Sequence, residues 1–441
     1  MTRCLSLFVL LLAVVVAPAC AQDAAAVAFE GVTVVPMDRE RVLPGHTVVV
    51  RGDRIEAVGP DGSVVVPDGA TRVDGRGRWL VPGLAEMHGH VPPPSAPAEL
   101  TEETLFLYLS QGITTVRGML GAEGQLDLKR RANTGELLSP TLYLAGPSFN
   151  GNSVSSPEQA EAMVRRQVEE GWDLLKVHPG LTRPEYDAMA ETANALGIRF
   201  GGHVPAAVGL EHAIAQGQET FDHVDGYAEA LDASAGPVDP ARLDALVRQS
   251  RAAGVWIVPT MALWETIYGA LSLETLRAYP ELAYVPPQQV AGWTGTVEQI
   301  RAGADYDAEA ARRLIAGRNE ILRALHAGGV RILMGTDAPQ LFSVPGFSLH
   351  REFLRMAAAG MSPYEILHSG TALVGEYFAD EDTFGLVAPG HRADLVLLDT
   401  DPLEDAAHLA EIAGVMARGR WVDRAALDAR LDALRTKYAA N

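Results

Sequence analysis

Two histidines separated by one residue, His88 and His90, stand just past a short apolar run. On extended backbone an i, i+2 pair points both imidazoles to the same side. Two neutral ring nitrogens converging there suit a zinc-like divalent ion. Such a pair is weak evidence alone, because hydrogen-bonded core histidines occur in many chains, so its company matters. Lys176 in Asp173-Leu174-Leu175-Lys176-Val177-His178, His203 in Gly201-Gly202-His203-Val204, His223 in Phe221-Asp222-His223-Val224 and Asp337 in Met334-Gly335-Thr336-Asp337 each close another strand-like run. Taken singly, Lys176 could reach solvent, His203 and His223 could be satisfied core groups, and Asp337 could cap a helix. Four such coincidences at four strand tips are far less expected than one shared site.

The elements that must position these residues alternate short strand-like runs with longer helical segments between about residues 81 and 375. That is the texture of βαβ units. Strands are predicted at Leu84–Met87, Ile113–Val116, Thr141–Ala145, Leu174–Val177, Arg199–Gly202, Thr220–Asp222, Val255–Pro259 and Arg331–Gly335. Eight units over this length fit an α/β fold, a (β/α)8 barrel, with its chemistry at the C-terminal strand ends. A doubly wound open sheet remains the alternative, since periodicity does not show closure. Short apolar runs broken by turns, first from Val27 to Leu80 and again from Ala393 to Val422, predict a small β-sandwich domain built from both termini. The expected division is 22–80 plus 381–423 for the sandwich, 81–380 for the barrel and 424–441 for an amphipathic C-terminal helix. Between Ala262 and His326 the chain runs long and carries Trp264, Tyr268, Tyr279, Tyr284 and Trp293. These aromatics would either wall the barrel mouth or pack the insertion's own helices.

Composition narrows the function classes. Of 441 residues, 48% are hydrophobic and 21% charged, which supplies a core and argues against disorder. Acidic residues outnumber basic ones, 56 to 36, for a net charge of −20, and no Lys/Arg run is present. Nucleic acid is therefore not an expected partner. The apolar stretch Leu5–Val16, preceded by Arg3 and followed by Ala17-Pro18-Ala19-Cys20-Ala21, reads as a signal peptide over residues 1–21, too short to span a membrane. Cleavage after Ala21 is favoured, with lipidation of Cys20 as the alternative; either gives an exported protein, periplasmic or secreted. Both cysteines, Cys4 and Cys20, lie in this segment, so neither disulfides nor thiolate ligands are expected beyond it.

Pro82-Gly83-Leu84-Ala85-Glu86-Met87-His88-Gly89-His90 resembles the opening signature of the amidohydrolase superfamily, and Gly385-Leu386-Val387-Ala388-Pro389-Gly390-His391-Arg392-Ala393-Asp394-Leu395-Val396 resembles its closing motif. The likeness covers almost the whole chain beyond the leader, and is nearest to the prolidase-like and imidazolonepropionase-related branch. It implies two divalent metal ions, zinc being the first expectation, on His88, His90, a carboxylated Lys176, His203, His223 and Asp337. Glu86 stands where the family more often has Asp, and His368-Ser369-Gly370-Thr371-Ala372-Leu373 lacks the Asn-Pro of many relatives. Neither departure touches an implied ligand.

Charge supports the modified lysine independently. An ammonium ~4 Å from a divalent ion suffers several kcal/mol of repulsion even at an effective dielectric near 20, whereas a carbamate is anionic and has two oxygens to offer. A free Lys176 with a single metal is the alternative. The expected reaction is hydrolysis of an amide in a small peptide or N-acyl amino acid by a metal-activated water. Asp337 would be the catalytic acid–base group. Arg117, His178 and Tyr227 are candidates to meet a substrate carboxylate. Ester or lactone hydrolysis on the same centre, or an inactive barrel that only binds, are the rival readings. Deamination is disfavoured because Val204-Pro205-Ala206-Ala207, with no Glu, follows His203. No integral membrane span is expected, and assembly into a homo-oligomer is left open.

Overall fold

The computed structural model describes residues 26–269 and 271–440. The leader and both cysteines lie outside the described residues. Five strands open the chain: β1 (Ala26–Val34), β2 (Leu43–Arg51), β3 (Arg54–Pro60), β4 (Thr71–Asp74) and β5 (Trp79–Pro82). Eight follow in the middle: β6 (Leu84–Gly89), β7 (Ile113–Gly118), β8 (Thr141–Leu144), β9 (Leu174–Val177), β10 (Arg199–Gly202), β11 (Thr220–Asp222), β12 (Trp256–Val258) and β13 (Arg331–Ile332). The last three are β14 (Leu395–Leu398), β15 (Ile412–Ala417) and β16 (Arg420–Asp423).

The middle eight are parallel and pair in chain order within two runs, β6 to β8 and β9 to β13. Both seams are bonded. Asp173 N donates to Leu144 O and Gly146 N to Leu174 O, while Met87 N donates to Met334 O and Asp337 N to His88 O. The ring closes, which decides against an open doubly wound sheet. Predicted strands match within a few residues; the largest difference is at β13, whose regular pairing ends at Ile332.

Strands from both ends of the chain meet in one connected sheet, β16-β15-β14-β5-β1-β2-β3, with β4 also paired to β1. Its period-2 alternation explains how it serves two cores. Leu80, Leu395 and Leu397 face a core shared with Phe29, Val48 and Val50, whereas Val81, Val396 and Leu398 point the other way into the barrel's apolar layer. The C-terminal helix Arg424–Ala439 buries Leu427, Leu431 and Leu434, the i, i+4, i+7 stripe of an amphipathic surface helix. No helix among the described residues is long and apolar enough to cross a membrane.

Among the described residues between β12 and β13, four α-helices, Met261–Ile267, Leu273–Arg277, Pro287–Ala302 and Ala308–Ala327, and a 3-10 helix, Pro280–Tyr284, make up the insertion. The five aromatics singled out above divide. Trp264 lines a cavity and stacks on Tyr268 at 5.2 Å, whereas Tyr284 stacks on Phe347, Trp293 lies against Phe342 and Tyr279 carries Arg351. One aromatic thus walls the mouth directly, with Tyr268 behind it, and three pack the insertion against the segment that follows β13.

Candidate active site

Every side chain singled out as a ligand stands at the C-terminal end of a barrel strand, and the ring brings all six together. His90 Nε2 lies 2.5 Å from Asp337 Oδ1, His88 Nε2 3.6 Å from the same oxygen, and His223 Nε2 3.7 Å from Asp337 Oδ2. Lys176 Nζ is 3.3 Å from His88 Nε2. The rings of His88 and His203 each centre 4.5 Å from His223. Donor atoms of His88, His90 and Asp337 lie within 4.8 Å of one another, close enough to share a cation.

The backbone is bent to achieve this. His223, Thr260 and Asp337, at or just past the ends of β11, β12 and β13, all adopt left-handed conformations, with φ of 65°, 47° and 63°. For non-glycine residues, a β-branched threonine above all, that is a local cost characteristic of functional sites. Gly202 meets a related demand. At φ 123° a Cβ would sit 2.5 Å from Val177 O and 2.9 Å from Lys176 Cδ, so only glycine lets β10 lie this close to Lys176.

Several supporting groups carried no sequence signal. Asp225 Oδ2 is 2.6 Å from His203 Nδ1, and Thr260 Oγ1 is 2.7 Å from His223 Nδ1. Each partner fixes a ring's orientation from behind, as supports of metal-binding histidines do. Asp222 Oδ2 approaches His88 Nδ1 at 2.8 Å, too bent for a hydrogen bond, and lies 3.8 Å from Lys176 Nζ. Glu86 ties the first strand to the last: its carboxylate accepts from His88 N at 3.1 Å, Thr336 N at 2.7 Å and Thr336 Oγ1 at 2.6 Å. Burial pushes the pKa of this carboxyl up to about 8.

Electrostatics favour neutral nitrogen donors. Burial, reinforced by the charge of Lys176, holds His88 well below the ordinary imidazole range, and burial does the same for His223. Burial also lowers the Lys176 amine, against the opposing pull of Asp222 and Asp337. For Asp222, burial acts to raise the carboxyl, but Arg117, Lys176 and the neighbouring histidines outweigh it and keep it low.

Two of the three suggested substrate contacts need correction. Arg117 is wholly buried, its guanidinium spent on Met87 O at 2.6 Å, Thr220 Oγ1 and Tyr377 OH at 3.2 Å each, and Asp222 Oδ1 at 3.3 Å. It turns into the barrel and supports Asp222. Tyr227 is equally buried, with its hydroxyl 2.6 Å from Ser250 Oγ. His178 does line the cavity, its ring stacked on His203 at 5.0 Å.

That cavity, about 660 Å³, opens above the ligand cluster, with His88, His90, His203 and Asp337 in its floor. The donor set fits a metal centre on a direct observation: His223 Nε2 is buried, faces the Asp337 carboxylate and has no hydrogen-bond partner. Orphaned buried nitrogens are costly unless a ligand completes them.

A closed parallel ring with histidines, a lysine and an aspartate converging at its C-terminal mouth defines a barrel with the makings of a metal-dependent enzyme. The chain belongs to the amidohydrolase family, whose model matches residues 79–422. Imidazolonepropionase of Stenotrophomonas maltophilia (strain R551-3) is 26% identical over 388 residues, covering 80% of this chain and 86% of that protein. Adenine deaminase of Rubrobacter xylanophilus (strain DSM 9941) is 25% identical over 410 residues, 88% of this chain but 56% of its own length. The chain thus spans about half the length of that deaminase. Among solved structures, a candidate prolidase from Bifidobacterium longum superposes with a TM-score of 0.71 at 25% identity, over 93% of this chain and 99% of the other. Members of the family generally bind divalent metals, in keeping with the cluster of His88, His90 and Asp337.

Proposed function

We propose that this chain is a metal-dependent hydrolase of C–N bonds that cleaves an amide in a small peptide or N-acyl amino acid. The observation that carries the reading is the convergence of six ligand-type side chains, two with an orphaned buried nitrogen, at the bottom of a 660 Å³ cavity whose floor four of them line. His88, His90, His203, His223, Asp337 and a carboxylated Lys176 would hold two divalent ions, zinc being the first candidate. When bound, such ions acidify a water and polarise the scissile carbonyl.

The remaining work falls to the chain itself. A water adding to an amide carbonyl must give up a proton, and the departing amine must gain one, so water and amide become a carboxylic acid and an amine. Asp337 faces the cavity and can take the proton and then deliver it. Asp225 and Thr260 keep His203 and His223 from rotating. The lowered Lys176 amine suits carbamate formation, because only the unprotonated amine captures carbon dioxide, and Asp222 and His88 adjoin the position the new group would take.

The test is the lysine. Intact mass or high-resolution diffraction of the metal-loaded protein is expected to show Lys176 one carbon dioxide heavier. Lys176→Ala is expected to lose at least about tenfold in activity, with partial recovery when short carboxylic acids fill the vacated position. A bare amine beside one fully occupied metal position would sink the two-metal form of the proposal. We propose also that the chain is exported. Mass analysis of the exported form is expected to begin at Gln22, and a lipidated Cys20 would establish the anchored alternative instead.

A further inference from the structure

The wall of the active-site cavity differs sharply from its floor. Val91, Pro93, Leu120, Leu263, Trp264 and Ile267 form much of it, its polar side chains are those of Gln125, His178 and Gln340, and no lysine or arginine among the described residues lines it. The guanidinium behind this wall is already committed. Arg318 sits 4.6 Å from the Trp264 ring, is 1% exposed, and donates to His223 O and to Asp225 Oδ1. Gln125, the polar residue on the Ala122 side, is consumed internally. Its amide nitrogen donates to Val91 O at 2.9 Å and Pro92 O at 3.1 Å, and its oxygen accepts from Ala122 N at 3.0 Å. It staples two stretches of wall together instead of facing a ligand. Arg117, the cation that the sequence suggested for a substrate carboxylate, is wholly buried inside the barrel.

Away from the metal-holding floor, a carboxylate brought against such a wall loses its hydration and finds no cation in return, which is unfavourable. The net charge of −20 adds a long-range bias against anions. An uncharged apolar group faces neither penalty and gains by leaving water. The cavity's volume suits a molecule of drug size.

We propose that the substrate carries apolar, uncharged groups on both sides of its scissile bond and no free carboxylate, so that among acyl-amino compounds the capped or decarboxylated ones are preferred. This rests on the amide-hydrolysis reading but departs from its substrate class, because free N-acyl amino acids and uncapped peptides carry a carboxylate and would be disfavoured.

A matched pair tests the idea. N-acetylphenylalanine and N-acetylphenethylamine share one amide and one ring and differ only by the carboxylate. Each is titrated calorimetrically into the full-length, metal-loaded protein, and its turnover is measured separately. The neutral member is expected to bind at least about tenfold more tightly. Equal binding, or tighter binding of the carboxylate member, overturns the proposal. If the neutral member binds preferentially and neither is hydrolysed, the apolar assignment stands and the amide-hydrolysis reading fails. Leu120 is 45% exposed at the cavity rim, so Leu120→Lys should be tolerated by the fold. That variant is expected to narrow the binding ratio severalfold by supplying the missing cation, and an unchanged ratio would also overturn the proposal.

Discussion

The barrel has a cavity at each end, about 660 Å³ at the mouth and about 680 Å³ at the base, and they differ in what their polar groups do. At the base the charges answer one another. Arg199 pairs with Glu219 at 2.8 Å and Glu381 at 3.1 Å while lying 3.7 Å over Tyr377, and Arg331 pairs with Glu376 at 3.1 Å while lying 3.7 Å over Trp256. At the mouth Nε2 of His223 has no partner, nor do Nδ1 of His178 and Nε1 of Trp264. Polarity is therefore not what marks a site here. The base is the more polar of the two and is complete in itself, whereas the mouth is less polar and unfinished.

The sharpest test of this contrast is the residue with most to do at the mouth. Asp337→Asn keeps the shape of the side chain but cannot accept a proton, and kcat is expected to fall by about 10² or more. Metal content should persist, because the four histidines and Lys176 remain. A variant that retains both its metals and near-normal kcat would remove Asp337 from proton transfer while leaving it a ligand. A smaller loss is expected one layer out. Asp225→Asn gives up the charged partner of His203 Nδ1, and metal affinity measured by competition with a chelator is expected to drop about 10- to 100-fold.

How much of this was legible in the sequence follows from what each residue leans on. His88, His90, Lys176, His203, His223 and Asp337 announce themselves because each ends a strand, and strand ends converge in a closed barrel. Asp225 and Thr260 act only by touching a histidine reached through the fold, so no short motif marks them. Arg117 misled for a geometric reason. It lies one residue before the end of β7, with its side chain directed into the barrel, where Asp222 and Met87 O take its donors. Tyr227 begins a short helix and packs toward Phe221 and Ser250. The eight strands were legible from their spacing, but closure needed the bonds at the two seams. Glu352 gave no warning at all: it accepts from Met261 N at 2.9 Å and Ala262 N at 2.8 Å, some ninety residues away, at the start of the helix that carries Trp264.

Glu352 supplies a pH-dependent form of the comparison. Burial pushes its carboxyl up from 4.5 to about 7, even though two amide donors and Arg355 act to lower it. The folded state therefore binds a proton more tightly than the unfolded chain. Its contribution to stability is fully present below about pH 4.5 and is lost as the pH rises through about 7. The full loss is of order 3 kcal/mol. Glu352→Gln cannot ionise, so the difference in unfolding free energy between the wild type and this variant is expected to change by about that amount across the window. A parallel pair of stability–pH curves would show that the carboxyl titrates normally.

The smallest effect is expected at the base, and it decides whether that cavity is structural. Arg331 is partly exposed, so its ion pair with Glu376 is screened and worth at most about 1 kcal/mol. Its stacking on Trp256 adds ~0.5–1 kcal/mol. Arg331→Met keeps much of the packing volume but loses the charge, the pair and the bond to Gly254 O. Stability measured by denaturant is expected to fall by roughly 1–2 kcal/mol, with kcat/KM held within about twofold. The reasoning is that β13 is pinned at both ends independently: Arg331 holds its start, while Glu86 holds Thr336 and the seam bond from Asp337 N to His88 O holds the stretch beyond it. Loosening the base should therefore not move Asp337. If kcat fell tenfold while the unfolding free energy changed little, the two ends of β13 would be coupled, and the base would have a part in catalysis that its paired charges conceal.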